Sequence, residues 1–172
     1  MIGSILRRLS IGFALVGGTI TLALIAMSLV SLIGRKVFSA PIPGDIEILE
    51  MAIAVAVAAF LPLCEIRDNN IRVDLLSGVL PDYVNRLLLT MCHLLLALVM
   101  GFICWRAGMF AIESYQHTET STMLMVPLWI PQSLMLPSFG LLTLCALYRA
   151  GRAYAGEPAQ SELDHLEGAV DE

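Results

Sequence analysis

The chain has 172 residues, of which 58% are hydrophobic and 15% are charged, whereas an ordinary soluble domain has about 25% charged residues. With a mean hydropathy of +0.80, it has too few polar residues to cover a water-soluble globule, which excludes a typical soluble enzyme. The formal net charge of −5 comes from acidic residues after position 156, so the body lacks the basic surface that nucleic acid requires, and no nucleic-acid partner is expected.

Four apolar runs predict an all-α membrane protein with four transmembrane helices, over residues 11–34, 45–64, 87–112 and 128–147. The first run holds no ionisable residue. At 1.5 Å per residue it reaches about 36 Å, enough to cross a hydrocarbon core of about 30 Å with some tilt. The spans and their short connections are predicted to form one domain, residues 1–150.

The second run opens with acidic side chains. Asp45 is the predicted N-cap, and Glu47 and Glu50 lie three residues apart, so that they share one helix face. Acidic groups in a first turn favour the positive end of the helix dipole. A carboxylate pair at a membrane edge also needs a partner, for which Arg35, Lys36 and a neighbouring subunit are candidates. The acids of this helix are predicted to lie at its first turn only.

Residues 65–86 form the most polar internal segment, and an amphipathic stretch at about 72–80 predicts a short helix along the membrane interface. The third run contains two ionisable residues, His93 and Arg106, which are candidates for hydrogen bonding inside the membrane. His93 is expected to bond to a neighbouring helix. Arg106 is expected to extend toward the interface beside Trp105.

The basic residues predict the orientation of the helices. With both termini in the cytoplasm, seven of the ten Lys and Arg residues lie in cytoplasmic segments and two lie in the outer loops, as the positive-inside rule favours. After the fourth run, residues 151–172 are acidic and are predicted to form a disordered tail.

The cysteines and the polar residues of the helices limit the functions that the chain can have. The four cysteines form no CxxC pair and are interpreted as apolar fillers, so neither a metal nor a cofactor is expected. An accessory, scaffolding subunit fits such apolar helices, because a transporter core carries polar groups near the midplane. Two stand-alone alternatives stay open: a small channel or exporter, which needs a polar stripe, and a thiol-redox enzyme, which needs paired exposed thiols.

Several short motifs occur in an order that resembles a known family. They are Arg-Lys-Val-Phe at 35–38, Gly-Asp-Ile-Glu at 44–47, Ile-Arg-Val-Asp-Leu-Leu at 71–76 leading to Pro81, Thr-Ser-Thr at 120–122, and Pro-Leu-Trp-Ile-Pro at 127–131 followed by Pro137. Over roughly residues 10–150, the chain resembles the small membrane subunit (DctQ type) of tripartite ATP-independent periplasmic (TRAP) transporters.

The resemblance implies a function for the whole chain. Such subunits are noncatalytic parts of a sodium-driven, binding-protein-dependent transporter for an organic acid, either a carboxylate or a sulfonate, in the bacterial inner membrane. The large permease subunit holds the substrate and sodium sites, and a periplasmic binding protein delivers the substrate. The small subunit supports the large one among the membrane lipids and adds docking surface for the binding protein. No catalytic, substrate or metal residue is therefore assigned to this chain.

The resemblance also places the charged residues. Arg35, Lys36, Asp45, Glu47 and Glu50 are expected near the periplasmic surface, where they contact the large subunit or the docked binding protein. At the cytoplasmic interface, Arg72 and Asp74 are expected to orient the amphipathic helix.

Overall fold

The computed structural model describes residues 2–38, 44–67 and 82–155, and its regular elements there are all helices. The long ones are α1 (Ile2–Ile33), α2 (Asp45–Ile66), α3 (Asp82–Gln116) and α4 (Trp129–Ala155), and a π-helical turn (Gly34–Phe38) continues α1. Each of the four is long and apolar enough to cross a membrane. The predicted all-α fold with four membrane-spanning helices is confirmed.

The helices extend beyond the apolar runs that predicted them. Helix α1 begins at Ile2 rather than at residue 11, and α3 has 35 residues, about 52 Å, against a hydrocarbon core of about 30 Å. Polar helix ends can therefore continue into the aqueous layers. Helix α4 runs through Ala155, so residues 151–155, which were assigned to the tail, are helical. Residues 156–172 lie outside the described part of the chain, as does the predicted amphipathic helix at about 72–80 with Arg72 and Asp74.

Helices α2 and α4 form the middle of the bundle, with α1 packed against α2 and α3 packed against α4. We call the end where α2 and α4 begin the loop end, because the α3–α4 loop (residues 117–128) lies there. We call the opposite end, where α1 and α3 begin and α2 and α4 finish, the terminal end. Helices α2 and α4 thus run parallel to each other and antiparallel to their outer neighbours.

Small residues let α1 approach α2 closely. The buried face of α2 carries Ala56, Ala58 and Ala59. Opposite them on α1, a Cβ atom added at Gly17 would lie 3.0 Å from the Ala56 carbonyl oxygen. Close approach of helix backbones at Gly and Ala is the usual way that membrane helices pack, since lipid removes the hydrophobic drive for their association. Many of the large apolar side chains of α1 and α3 are instead exposed on the outside of the bundle.

The start of α2 differs from the prediction. The N-cap is Gly44, in a left-handed conformation with φ of 78°, and Asp45 is the first helical residue. The predicted N-cap role of Asp45 is therefore wrong by one position. The reason is local geometry, because the chain enters the helix with a positive φ that glycine adopts at no steric cost.

Candidate functional site

Glu47 fastens the α3–α4 loop to the first turn of α2. Its carboxylate accepts hydrogen bonds from the Ser121 hydroxyl, the Thr122 hydroxyl at 2.6 Å, the Met123 amide at 2.9 Å and the Leu124 amide at 3.0 Å. Backbone amides only donate, and an ionised carboxylate only accepts, so the charged form of Glu47 suits all four partners. We call this set the loop-end contact.

The loop is also held by its own backbone. The Ser121 amide donates to the Val126 carbonyl at 2.9 Å, and the Leu128 amide donates to the Glu119 carbonyl at 3.0 Å. The Glu119 carboxylate accepts a hydrogen bond of 3.0 Å from the Ser114 hydroxyl at the end of α3. These bonds fold the loop back on itself, so that its tip has a defined position relative to α2.

The tip of the loop presents apolar side chains to the outside. Met123 and Met125 are 76% and 74% exposed, and Met125 has a positive φ of 53°, which is uncommon for a residue other than glycine. Between them, Leu124 packs against Gly44 so closely that any Cβ atom at position 44 would collide with it. The loop-end contact thus holds two exposed methionines above the start of α2.

Asp45 joins the end of α1 to the start of α2. Its carboxylate accepts hydrogen bonds from the Ser31 hydroxyl and, at 2.9 Å, from the Ile46 amide. Arg35 lies beside it, with 3.6 Å between Nη2 and Oδ2. Of the five residues predicted to dock partners, Arg35, Asp45 and Glu47 are therefore engaged within the chain.

The remaining two predicted docking residues face outward. Lys36 and Glu50 are both exposed. Neither makes a hydrogen bond or an ion pair with another residue in the described ranges. They are the members of the predicted set whose charges are directed away from the bundle at the loop end.

A second polar group, the terminal-end cluster, consists of Glu65, His93 and Arg149. Glu65 is only 1% exposed, and its Oε1 forms a hydrogen bond of 2.8 Å with Nδ1 of His93 on α3. From α4, Arg149 donates to the backbone carbonyls of Glu65 and Ile66 at 3.0 and 3.1 Å. These carbonyls belong to the last turn of α2, so Arg149 helps to cap the end of that helix. The cluster thus ties three helices together.

The role of Glu65 is not evident from the hydropathy of the sequence. The second apolar run predicts a span that ends at residue 64, with Glu65 in the polar segment that follows, whereas α2 continues to Ile66 and has an acid at each end. A signal was present: Ala58, Pro62 and Glu65 follow each other at spacings of four and three, and all three are buried. That spacing puts Glu65 on the same inner face as the small residues.

Helix α1 contacts α4 through a hydrogen bond between a hydroxyl and a thiol. The Ser10 hydroxyl lies 3.6 Å from Sγ of Cys145 on α4, and both residues are fully buried. Cys145 is a small interior side chain, Cys64 and Cys92 are exposed, and all the cysteines are free thiols. Within the described ranges, no group of His, Cys, Asp and Glu residues is arranged to hold a metal ion.

The two ionisable residues predicted inside helix three have different surroundings. His93 is buried and contacts Glu65, as described above. Arg106 is exposed and makes no hydrogen bond with another described residue, and the neighbouring Trp105 stacks edge-on against Phe102 at 6.1 Å. His93 therefore belongs to the bundle interior, whereas Arg106 belongs to the outer surface of α3.

A comparison with protein families places the chain beside known transporter components. A family model for tripartite ATP-independent periplasmic transporters, DctQ component, matches residues 24–156, which is well over half of the chain. That range includes the loop-end contact and the terminal-end cluster. No curated protein and no solved structure matches the sequence.

Proposed function

This chain belongs to the DctQ family of TRAP transporter components, and from that premise we propose that it braces the large permease subunit and offers docking surface to the binding protein. As a member of this family it is a multi-pass membrane protein and the small subunit of a transporter that works with other TRAP components. The bracing and docking roles are what the following observations support.

The observation that carries the docking role is the fixed loop at the loop end. Four hydrogen bonds to Glu47 hold residues 121–124 in place, while Met123 and Met125 stay exposed. A loop that is ordered before its partner arrives loses less conformational entropy on binding. Methionine side chains adapt to irregular surfaces, which suits a contact that forms and breaks in each transport cycle.

The bracing role rests on the outward-facing surfaces of α1 and α3. Both carry many exposed large apolar residues, which suit lipid and the apolar face of another membrane subunit. At the terminal end, His93 is hydrogen-bonded to Glu65 and the Ser10 hydroxyl to the Cys145 thiol. In line with the family, we assign the substrate and sodium sites to the large subunit, with an organic acid as the transported solute.

The orientation that we propose puts both termini in the cytoplasm of a bacterium and the loop end in the periplasm. At the terminal end, Arg7, Arg8, Arg86, Arg149 and Arg152 supply the basic charge that favours a cytoplasmic location. At the loop end, the basic pair is Arg35 and Lys36, and Arg35 has Asp45 beside it. A binding protein in the periplasm would then meet the exposed loop first.

The test uses the three purified components reconstituted in liposomes, with uptake of the labelled solute driven by a sodium gradient. Glu47→Ala should lower binding-protein-dependent uptake several-fold, because the loop loses its acceptor, while the two membrane subunits still co-purify. Glu50→Ala, one turn along the same helix, is the matched control. Combined charge reversal at Glu47 and Glu50 should lower uptake at least as much as Glu47→Ala. Unchanged uptake in every variant would remove the docking role, and solute flux through this chain alone would overturn the assignment as an accessory subunit.

A further inference from the structure

An open apolar groove of about 390 Å³ runs between α1 and α2 in the loop-end half of the bundle. Its volume lies within the range of about 300–1,000 Å³ that is usual for small-molecule sites. The apolar side chains that line it are Leu24, Ile25, Leu29 and Leu32 from α1 and Leu49 and Ile53 from α2. Two residues with hydroxyl groups, Thr21 and Ser28, complete the lining, which is predominantly apolar. The Thr21 hydroxyl, at the inner end, donates to the Gly17 carbonyl of its own helix at 2.9 Å.

The groove has the depth of one membrane leaflet. Its lining residues on α1 extend from Thr21 to Leu32, which is about 16 Å along a helix axis. Half of a hydrocarbon core of about 30 Å is about 15 Å. An extended hydrocarbon chain that enters from the loop-end surface would fill the groove. It would end near the middle of the membrane.

A basic residue stands at the outer end of this groove. Leu29, Leu32 and Lys36 follow each other at spacings of three and four, so they lie on one side of the helix and its π-helical continuation. Lys36 is exposed and has no hydrogen bond or ion pair with another residue of the described ranges. Arg35 is next to it but is shared with Asp45 at 3.6 Å. Lys36 thus places an exposed positive charge at the level at which a lipid headgroup would lie.

We propose that the α1–α2 groove is a binding site for a phospholipid, with one acyl chain between the helices and the headgroup phosphate at Lys36. The apolar lining matches the chain, the length of the groove matches one leaflet, and the cation matches the phosphate. A transmembrane helix of a partner subunit is about 10 Å across, so it would lie over a groove of this volume rather than inside it. The proposal is independent of the docking role at the α3–α4 loop.

Native mass spectrometry of the assembled transporter in detergent, titrated with phosphatidylglycerol, tests the phosphate contact. Lys36→Gln should weaken phosphatidylglycerol binding about fivefold, the loss expected for one basic residue near a lipid surface. Arg106→Gln, which removes an exposed basic residue on α3, should leave the affinity unchanged. A diacylglycerol with the same acyl chains, which has no phosphate, should bind more weakly than phosphatidylglycerol and should not respond to Lys36→Gln.

A second pair of variants tests the acyl chain. Leu29→Trp fills the groove and should reduce the number of phospholipids retained per transporter by one. Leu22→Trp places the same side chain on an exposed position outside the groove and should change nothing. The proposal is overturned if Lys36→Gln and Arg106→Gln bind phosphatidylglycerol equally well. It is also overturned if Leu29→Trp retains all of its lipid, or if Leu29→Trp releases the large subunit while lipid stays bound, since a protein helix would then be the occupant.

Discussion

Two glutamates at opposite ends of α2 are satisfied in contrasting ways. At the loop end, Glu47 accepts four hydrogen bonds from a neighbouring loop at the surface. At the terminal end, Glu65 is buried between three helices and meets His93. When a hydrogen-bond partner is removed, a carboxylate in contact with water regains much of the lost interaction energy by bonding to water. A buried carboxylate has no water to replace its partner. A hydrogen-bonded glutamate therefore fixes one loop at the loop end, whereas another joins three helices at the terminal end.

The largest expected effect comes from truncating the buried glutamate. Glu65→Ala leaves His93 without its hydrogen-bond partner and opens a cavity at the end of α2, so we expect the free energy of unfolding to fall by about 3–5 kcal/mol. Glu65→Gln keeps a hydrogen-bonding side chain beside His93 and should lower the free energy of unfolding by less. Chemical unfolding in detergent measures both, with the exposed Glu50→Ala as control. Equal stability of Glu65→Ala and Glu50→Ala would show that the buried cluster contributes nothing.

The second-largest expected loss of stability comes from a substitution at the backbone turn that begins α2. Gly44→Ala forces a side chain into a left-handed conformation with φ of 78° and into Leu124, so we expect a loss of about 1–2 kcal/mol in unfolding free energy. Gly18→Ala is the matched control, because a Cβ atom at Gly18 meets nothing within 4 Å. If both substitutions have the same effect, the close contact between Gly44 and Leu124 does not form.

A smaller and more local effect is expected from Glu47→Gln. The amide keeps one acceptor oxygen, so part of the loop-end contact is lost while the bundle stays folded. Hydrogen exchange at the Met123 and Leu124 amides should become several-fold faster, with little change in the midpoint of unfolding. Glu50→Gln should leave both amides as they are. Unchanged exchange in Glu47→Gln would mean that the carboxylate does not hold the loop.

The smallest effect is expected from the exposed ion pair. Arg35 and Asp45 are separated by 3.6 Å, and the arginine side chain is 57% exposed, so solvent and salt screen their attraction. Arg35→Gln should leave the midpoint of unfolding unchanged within error at physiological salt. A clear loss of stability would indicate that this pair is shielded from water by another subunit or by lipid.

The sequence was sufficient to predict the four spans, because long apolar runs without charges have few alternatives to a membrane helix. It was insufficient for the contacts between distant residues. The hydrogen bond from Ser121 to Glu47 joins residues 74 apart in the chain, and no local pattern reveals such a pair. Hydropathy also misplaced Glu65, because a charged residue at the boundary of an apolar run is assigned to the polar segment that follows, even where a neighbouring helix supplies its partner.

We propose a division of roles in this subunit, in which the terminal end holds the bundle together and the loop end serves the binding protein. Its most direct test measures co-purification with the large subunit and binding-protein-dependent uptake in the same reconstituted transporter, for Glu65→Ala and for Glu47→Ala. We predict that Glu65→Ala lowers both readouts, and that Glu47→Ala lowers uptake several-fold while co-purification is retained. The opposite pattern, with Glu47→Ala releasing the large subunit and Glu65→Ala leaving both readouts intact, would contradict the division between the two ends.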